Sequence, residues 1–289
     1  MFYLLAIFSV IGYSVQSVLA AHHARKLDGL SMVVYRHATL AISLLPLLLF
    51  VDWVQVDWAV YPWFDLLWAS LAGVTSSALS FQALKSLPVA ISRTVNRGIS
   101  VPVSFLLGAL FFAEIPTLSD MLVVSVMIGG IIMLSREQIS FPHLDNRFWH
   151  GIGLTALAAI FSATTFFFIA KVSRATDPFL SGYLWEILMG PIALLFVGVR
   201  QSTGFGKLKK IDWKTFKQIL IVCSPTLIGT GCFVMASRLG SLGILSAISS
   251  VGLVFGLVLA HWLYHEKLNQ RQIAWISFVL LCLLGLKLL

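Results

Sequence analysis

The sequence predicts an all-α membrane protein, with ten transmembrane helices arranged as two inverted five-helix repeats. Three observations predict it. Of the 289 residues 58% are hydrophobic and only 11% charged, with a mean hydropathy of +0.92; a soluble domain carries about 25% charged residues and could not cover itself with so few. Apolar runs long enough to cross a hydrocarbon core of roughly 30 Å recur along the whole length, and no polar block between them is large enough for a soluble domain. Finally, the two halves of the chain repeat each other.

The first helix, at about 2–21, ends in small residues like a secretory signal but lacks the positively charged start of one, so it counts as a span. Asp28-Gly29 breaks the chain before a second helix at about 30–51. The connection that follows, "VDWVQVDWAVYPWFD", brings Trp53, Trp58 and Trp63, which with Trp68 read as an interfacial belt. A third helix spans about 63–84, and Leu87-Pro88 sets off a fourth at about 88–112. Pro116-Thr117 separates it from a fifth at about 118–135, capped by Thr117 or Ser119. The sixth lies at about 150–170, and Asp177-Pro178 opens the seventh at about 179–198. Gly204 to Gly206 interrupts the chain before an eighth at about 216–237; the ninth covers about 242–264, and Asn269 caps the tenth at about 271–288.

The repeat is visible in order along the chain. "AIFS" at 6–9 recurs at 159–162, "PLLLFV" at 46–51 resembles "PIALLFV" at 191–197, and "FFAEIPTLSD" at 111–120 resembles "YHEKLNQRQI" at 264–273. The offsets stay between about 145 and 153, which divides the chain into halves at 1–140 and 141–289. Five helices per half is an odd number, so the second copy enters the membrane from the opposite side. That is the architecture in which transporters build a site near the midplane where the halves meet.

With "ALKSLPVAISRTVNRGISVPVSFLLGALFFAE" ending at Glu114 and its weaker partner "ASRLGSLGILSAISSVGLVFGLVLAHWLYHE" ending at Glu266, the organisation resembles the drug/metabolite transporter superfamily, in particular its EamA-type ten-helix members. The resemblance implies a basket of helices whose cavity is lined by helices 1 to 4 and 6 to 9. It further implies that helices 5 and 10 are peripheral and that small metabolites move by alternating access. Connections 3–4 and 8–9 are short enough to close over opposite ends of that cavity.

Lys and Arg are unevenly divided. Lys171, Arg174, Arg238 and Lys287 lie on the side of the termini, and thirteen others from Arg25 to Arg271 lie opposite. The positive-inside rule therefore places the termini outside the cell membrane, against the usual family expectation. The net charge of +8 sits in these connections, where it orients the chain and gives no nucleic-acid surface.

Inside the spans, polar residues carry the functional expectations. An Arg at mid-bilayer costs about 2.5 to 3.5 kcal/mol on insertion scales. Arg93 and Arg97, four residues apart in "ISRTVNRGIS", share one helix face, about 8 and 14 Å in from the helix start at 1.5 Å per residue. Asn96 and Ser100 extend this polar stripe. Arg36 and His37 enter from the same side on helix 2. The three arginines are the first candidates for holding a carboxylate or phosphate, because guanidinium offers paired donors; the alternative is that Arg93 and Arg36 snorkel to headgroups. Tyr35, Tyr183 and Trp185 follow as candidate substrate contacts, although aromatic side chains in helices more often pack or anchor.

Glu186, in "SGYLWEILMG", either takes up a proton during transport or pairs with Lys171 or Arg174 at the neighbouring helix end; the pairing is the expected role. Glu114 and Glu266 are expected to be structural acids at helix ends. Gly252 and Gly256 form a G-x-x-x-G seam for packing within the chain or for a dimer, so monomer and homodimer both stay open. The seven His make no metal spacing, and no nucleotide or hydrolase motif occurs. The expectation is a secondary transporter, an exporter or exchanger, with no enzymatic activity, cofactor or metal. Its partners would be the bilayer and a small anionic or zwitterionic metabolite such as an amino acid or organic acid; the alternative is a flippase for a phosphate-bearing lipid-linked substrate.

Overall fold

The computed structural model describes residues 1–136, 146–202, 208–264 and 268–288. Twelve α-helices follow one another among them, with no strand: α1 (Phe2–Lys26), α2 (Gly29–Ser43), α3 (Trp63–Ala83), α4 (Val89–Phe112), α5 (Leu118–Arg136), α6 (Asn146–Ala175), α7 (Pro178–Ser202), α8 (Trp213–Cys223), α9 (Thr226–Leu239), α10 (Leu242–Ser250), α11 (Gly252–Tyr264) and α12 (Gln270–Leu288). Eight segments are long and apolar enough to cross a membrane: α1, α3 to α7, α8 joined to α9, and α10 joined to α11. The segment α12 is a shorter apolar helix, and α2 has 15 residues.

Differences from the expected spans have local causes. The second span divides after Ser43, where Pro46 lacks an amide donor and the chain tightens into a 3-10 helix over Leu45–Phe50. Pro225 separates α8 from α9 in the same way. No proline explains the break between α10 and α11. There Ser249 and Ser250 donate their hydroxyls to the carbonyls of Leu245 (2.8 Å) and Ala247 (2.5 Å), in competition with the backbone ladder. The Val251 amide donates to Ile248 O, three residues back. The Gly252 carbonyl at the start of α11 also accepts the Ser14 hydroxyl of α1 at 3.1 Å.

Helix starts obey capping chemistry. Thr117 and Asp120 bond reciprocally before α5, as do Asn269 and Gln272 before α12. Asp28, Asp177 and Asp212 accept amides at the starts of α2, α7 and α8.

Each helix of the first half finds its main partners in the second: α1 packs on α9 and α11, α2 on α7 and α8, α3 on α6 and α7, α4 on α6 and α10, and α5 on α12. The α1–α9 crossing is so close that a Cβ at Gly12 would stand 2.6 Å from the Gly229 amide nitrogen. Gly252 faces Val10 and Ser14, and Gly256 faces Arg93 and Val18, so this glycine pair is used for packing within one chain.

Polarity is distributed as a lipid solvent requires. Leu49, Val54, Ile115 and Trp262 are exposed, while Ser9, Gln16, His37, Ser100, Ser104, Glu186, Thr230 and Ser246 are buried between helices. Trp53, Trp58, Trp63 and Trp68 are all exposed, as a belt at the interface demands.

Candidate functional site

Two polar centres lie within the spans, and one turn of α1 touches the helices of both. On one side, Tyr13 shares a 2.9 Å hydrogen bond with Thr230 of α9. Thr230 donates in turn to Glu186 Oε1 of α7 at 3.3 Å. The Glu186 side chain is 1% exposed, and the other groups around it come from α2: His37 Nδ1 stands 3.0 Å from Oε2, and Arg36 Nη2 stands 3.9 Å from Oε1. The His37 ring is fully buried. Its Nδ1 also lies 3.1 Å from the Glu186 main-chain oxygen, and Arg36 Nη1 lies 3.3 Å from its Nε2.

Glu186 therefore does not pair with Lys171 or Arg174. Lys171 binds Asp65 (2.9 Å), and Arg174 binds Glu114 (2.6 Å). The reason is depth. Seven residues from the start of α2 carry Arg36, and eight from the start of α7 carry Glu186, roughly 10 to 12 Å along their helices at 1.5 Å per residue, from opposite faces, so both approach the midplane. The helix-end cations stay at the surface.

On the other side, α10 packs along α4, and the Arg93 side chain of α4 reaches α11. Gly243 meets Phe105 at one end of the contact, and Gly256 meets Arg93 at the other. Between those points lie Arg97, Ser100 and Ser104 on α4, and Ser246 and the Val251 break opposite. The Nη1 of Arg97 and the hydroxyls of Ser100, Ser104 and Ser246 are buried without a hydrogen-bond partner among the described residues. Neither Arg93 nor Arg97 has a carboxylate within ion-pair distance among those residues, unlike Arg36. Asn96 is partly buried on the same helix. The expected pocket of three arginines thus divides into a neutralised centre at Arg36 and an uncompensated one at Arg93 and Arg97.

The aromatic candidates separate too. Tyr35 donates to Lys209 O at 2.9 Å, and Tyr183 to Ala41 O at 3.4 Å, so both hydroxyls are engaged by backbone. Trp185 is buried at 6% exposure beside Phe233, and its indole Nε1 is unpartnered among the described residues.

Of the helix-end acids, Glu114 accepts the Leu242 amide at the start of α10 (2.7 Å) as well as Arg174. Arg174 also donates to Ser237 O and Gly240 O at the end of α9, and its guanidinium covers the Phe112 ring at 4.1 Å. This cluster closes the α9–α10 connection against the end of α4. Glu266 lies outside the described residues. Near the opposite end of the bundle, Asp28 joins Arg200 at 2.9 Å. Burial works to raise the Asp28 carboxyl, but hydrogen bonds from Ser31 and Arg200 hold it below the ordinary carboxylate range.

The comparisons with known proteins agree with this architecture. Among curated proteins none matches the chain. A solved structure described only as "Crystal structure of protein" superposes with a TM-score of 0.76 at 11% identity, over 97% of this chain and 96% of that one, which supports the fold alone. The model of the EamA-like transporter family matches twice, over residues 1–136 and 149–288. Nearly the whole of this multi-pass membrane chain is thereby accounted for, and it belongs to the EamA-like transporter family.

Proposed function

We propose that the chain is a secondary transporter of the cell inner membrane, exporting or exchanging a small anionic or zwitterionic metabolite such as an amino acid or organic acid. It works by alternating access between halves 1–140 and 141–289, related by inversion. The observation that carries the reading is Arg97, whose buried Nη1 lacks a partner among the described residues. A guanidinium placed in a bilayer costs several kcal/mol unless an anion or water meets it, and a carboxylate answers it with paired, charge-assisted hydrogen bonds. Arg93 adds a second positive charge on the same helix face. Asn96 on the same helix adds a further donor; Trp185 Nε1, unpartnered among the described residues, and Tyr35 and Tyr183, whose hydroxyls are bonded to backbone, lie on the two helices that carry Arg36 and Glu186.

The test is thermal stabilisation of the purified protein by a panel of amino acids, carboxylates, sugar phosphates and amines, with Arg97→Ala in parallel. A ligand that binds only the folded state at a hundred times its Kd adds about 2.7 kcal/mol. Anions should raise Tm in the wild type and lose that effect in Arg97→Ala. Stabilisation confined to cations, or by anions equally in both proteins, would overturn the reading. Stabilisation by lipid-linked phosphates alone would transfer the site to a flippase.

A further inference from the structure

The buried cluster around Glu186 holds one group whose reference titration lies between pH 5 and 8, and that group is His37. Its protonation state follows from its neighbours. Arg36 has only N–H donors, so at 3.3 Å from Arg36 Nη1 the His37 Nε2 must be the acceptor. The ring proton then resides on Nδ1, whose hydrogen bond goes to the Glu186 main-chain oxygen at 3.1 Å; Oε2 stands 3.0 Å from the same nitrogen but accepts no hydrogen bond among the described residues. In this arrangement His37 is neutral, Glu186 is ionised, and Arg36 is held twice, through the imidazole and through Glu186 Oε1 at 3.9 Å.

A proton added to Nε2 removes the first hold and weakens the second, because the single charge of Glu186 is then shared with the imidazolium. The nitrogen that accepted from Arg36 becomes a donor facing a donor, and two cations stand side by side. The imidazolium, already beside Oε2, becomes the nearer counter-ion of Glu186. Arg36, whose side chain is 16% exposed against 1% or less for Glu186 and His37, then shares one carboxylate with a nearer cation. We infer that His37 couples proton uptake to anion binding: protonation at Nε2 loosens Arg36 from the Glu186 cluster, so that one proton and one anionic group are bound together.

The other groups that surround the cluster do not compete for this role. α1 contributes Tyr13 and Gln16; α8 contributes Cys223; α9 contributes Thr230 and Cys232; and α3 contributes the hydroxyl of Ser70, which is bonded to Trp185 O. Thiols and phenols titrate at about 8.5 and 10 in water, and amides and aliphatic hydroxyls do not titrate in this range. Linkage also works in reverse. An anion that captures Arg36 must raise the proton affinity of His37 by the same factor. His37 is a positioning residue, since it acts through Arg36.

This inference rests on the anionic reading above, so its test has one arm that needs no substrate. The full-length protein, labelled with 15N at histidine and held in lipid nanodiscs, is followed by NMR from pH 8 to pH 5. His37→Asn, whose amide can still donate from near the Nδ1 position, identifies the resonance; His37→Gln serves if that variant does not fold. The expected result is a neutral ring with its proton on Nδ1 at pH 8 and protonation of Nε2 at lower pH. A ring that stays neutral to pH 5, or one that carries its proton on Nε2 at pH 8, overturns the inference.

The second arm measures binding of succinate, as a carboxylate probe. Affinity should tighten about tenfold from pH 8 to pH 5.5 in the wild type and change less than about twofold in the His37 variants. A pH dependence that survives in both variants assigns the proton to Glu186 and overturns the role of His37. If no carboxylate binds at any pH, the anionic reading fails, and the NMR arm still decides whether His37 titrates.

Discussion

At the scale of single residues, the charged side chains within and beside the spans divide by whether a partner meets them. Glu114 has two, the Arg174 guanidinium and the Leu242 amide. Glu114→Gln keeps an acceptor for the amide but loses the ion pair, and Glu114→Ala loses both. A hydrogen bond to a charged group is worth about 1.5 to 3 kcal/mol, so unfolding of the purified protein should show Ala destabilised by that order and Gln by less. Equal stability of both variants and the wild type would remove Glu114 from any structural role. Glu114 was expected to act at the start of the helix that follows it, whereas its partners are the Leu242 amide at the start of α10 and Arg174. The partner of Glu186 was harder to read. Sequence proximity pointed to Lys171 and Arg174, whereas depth in the membrane brings α2 and α7 together, and depth on one helix is compared with another only when both entry faces are known.

At the scale of elements, the turn after α4 shows how backbone geometry places a side chain. Ala113 is the C-cap of α4 with φ of 54°, a left-handed conformation that its Cβ makes unfavourable. The turn brings Glu114 back toward α10. Glycine would adopt the same conformation without the steric cost, so Ala113→Gly should stabilise the folded protein by about 1 kcal/mol. A denaturation curve in which the glycine variant is less stable than the wild type would contradict that account. Prolines and caps announced most helix boundaries, from Asp28 to Asn269. The α10–α11 break carried no such mark. Its causes are serine hydroxyls bonding back to the helix and a contact with Ser14 on α1, and the second of these is tertiary.

At the scale of the whole molecule, the composition and the internal repeat were sufficient to recognise a two-part helical membrane protein. The division of its arginines between a paired and an unpaired centre was not legible, because it depends on which helices of the two halves touch. Those contacts have a consequence for how the protein is made. Since α1 to α4 lean chiefly on helices translated later, a nascent chain that has emerged only as far as residue 136 lacks the main packing partners of the helices that carry Ser9, His37, Ser100 and Ser104. Such an intermediate must stay with the insertion machinery or its chaperones until the remainder is synthesised. Fragments 1–136 and 146–289 expressed alone should be degraded, and expressed together they should accumulate as a complex that copurifies; a stable, unaided first fragment would show that the early helices find each other before the late ones arrive.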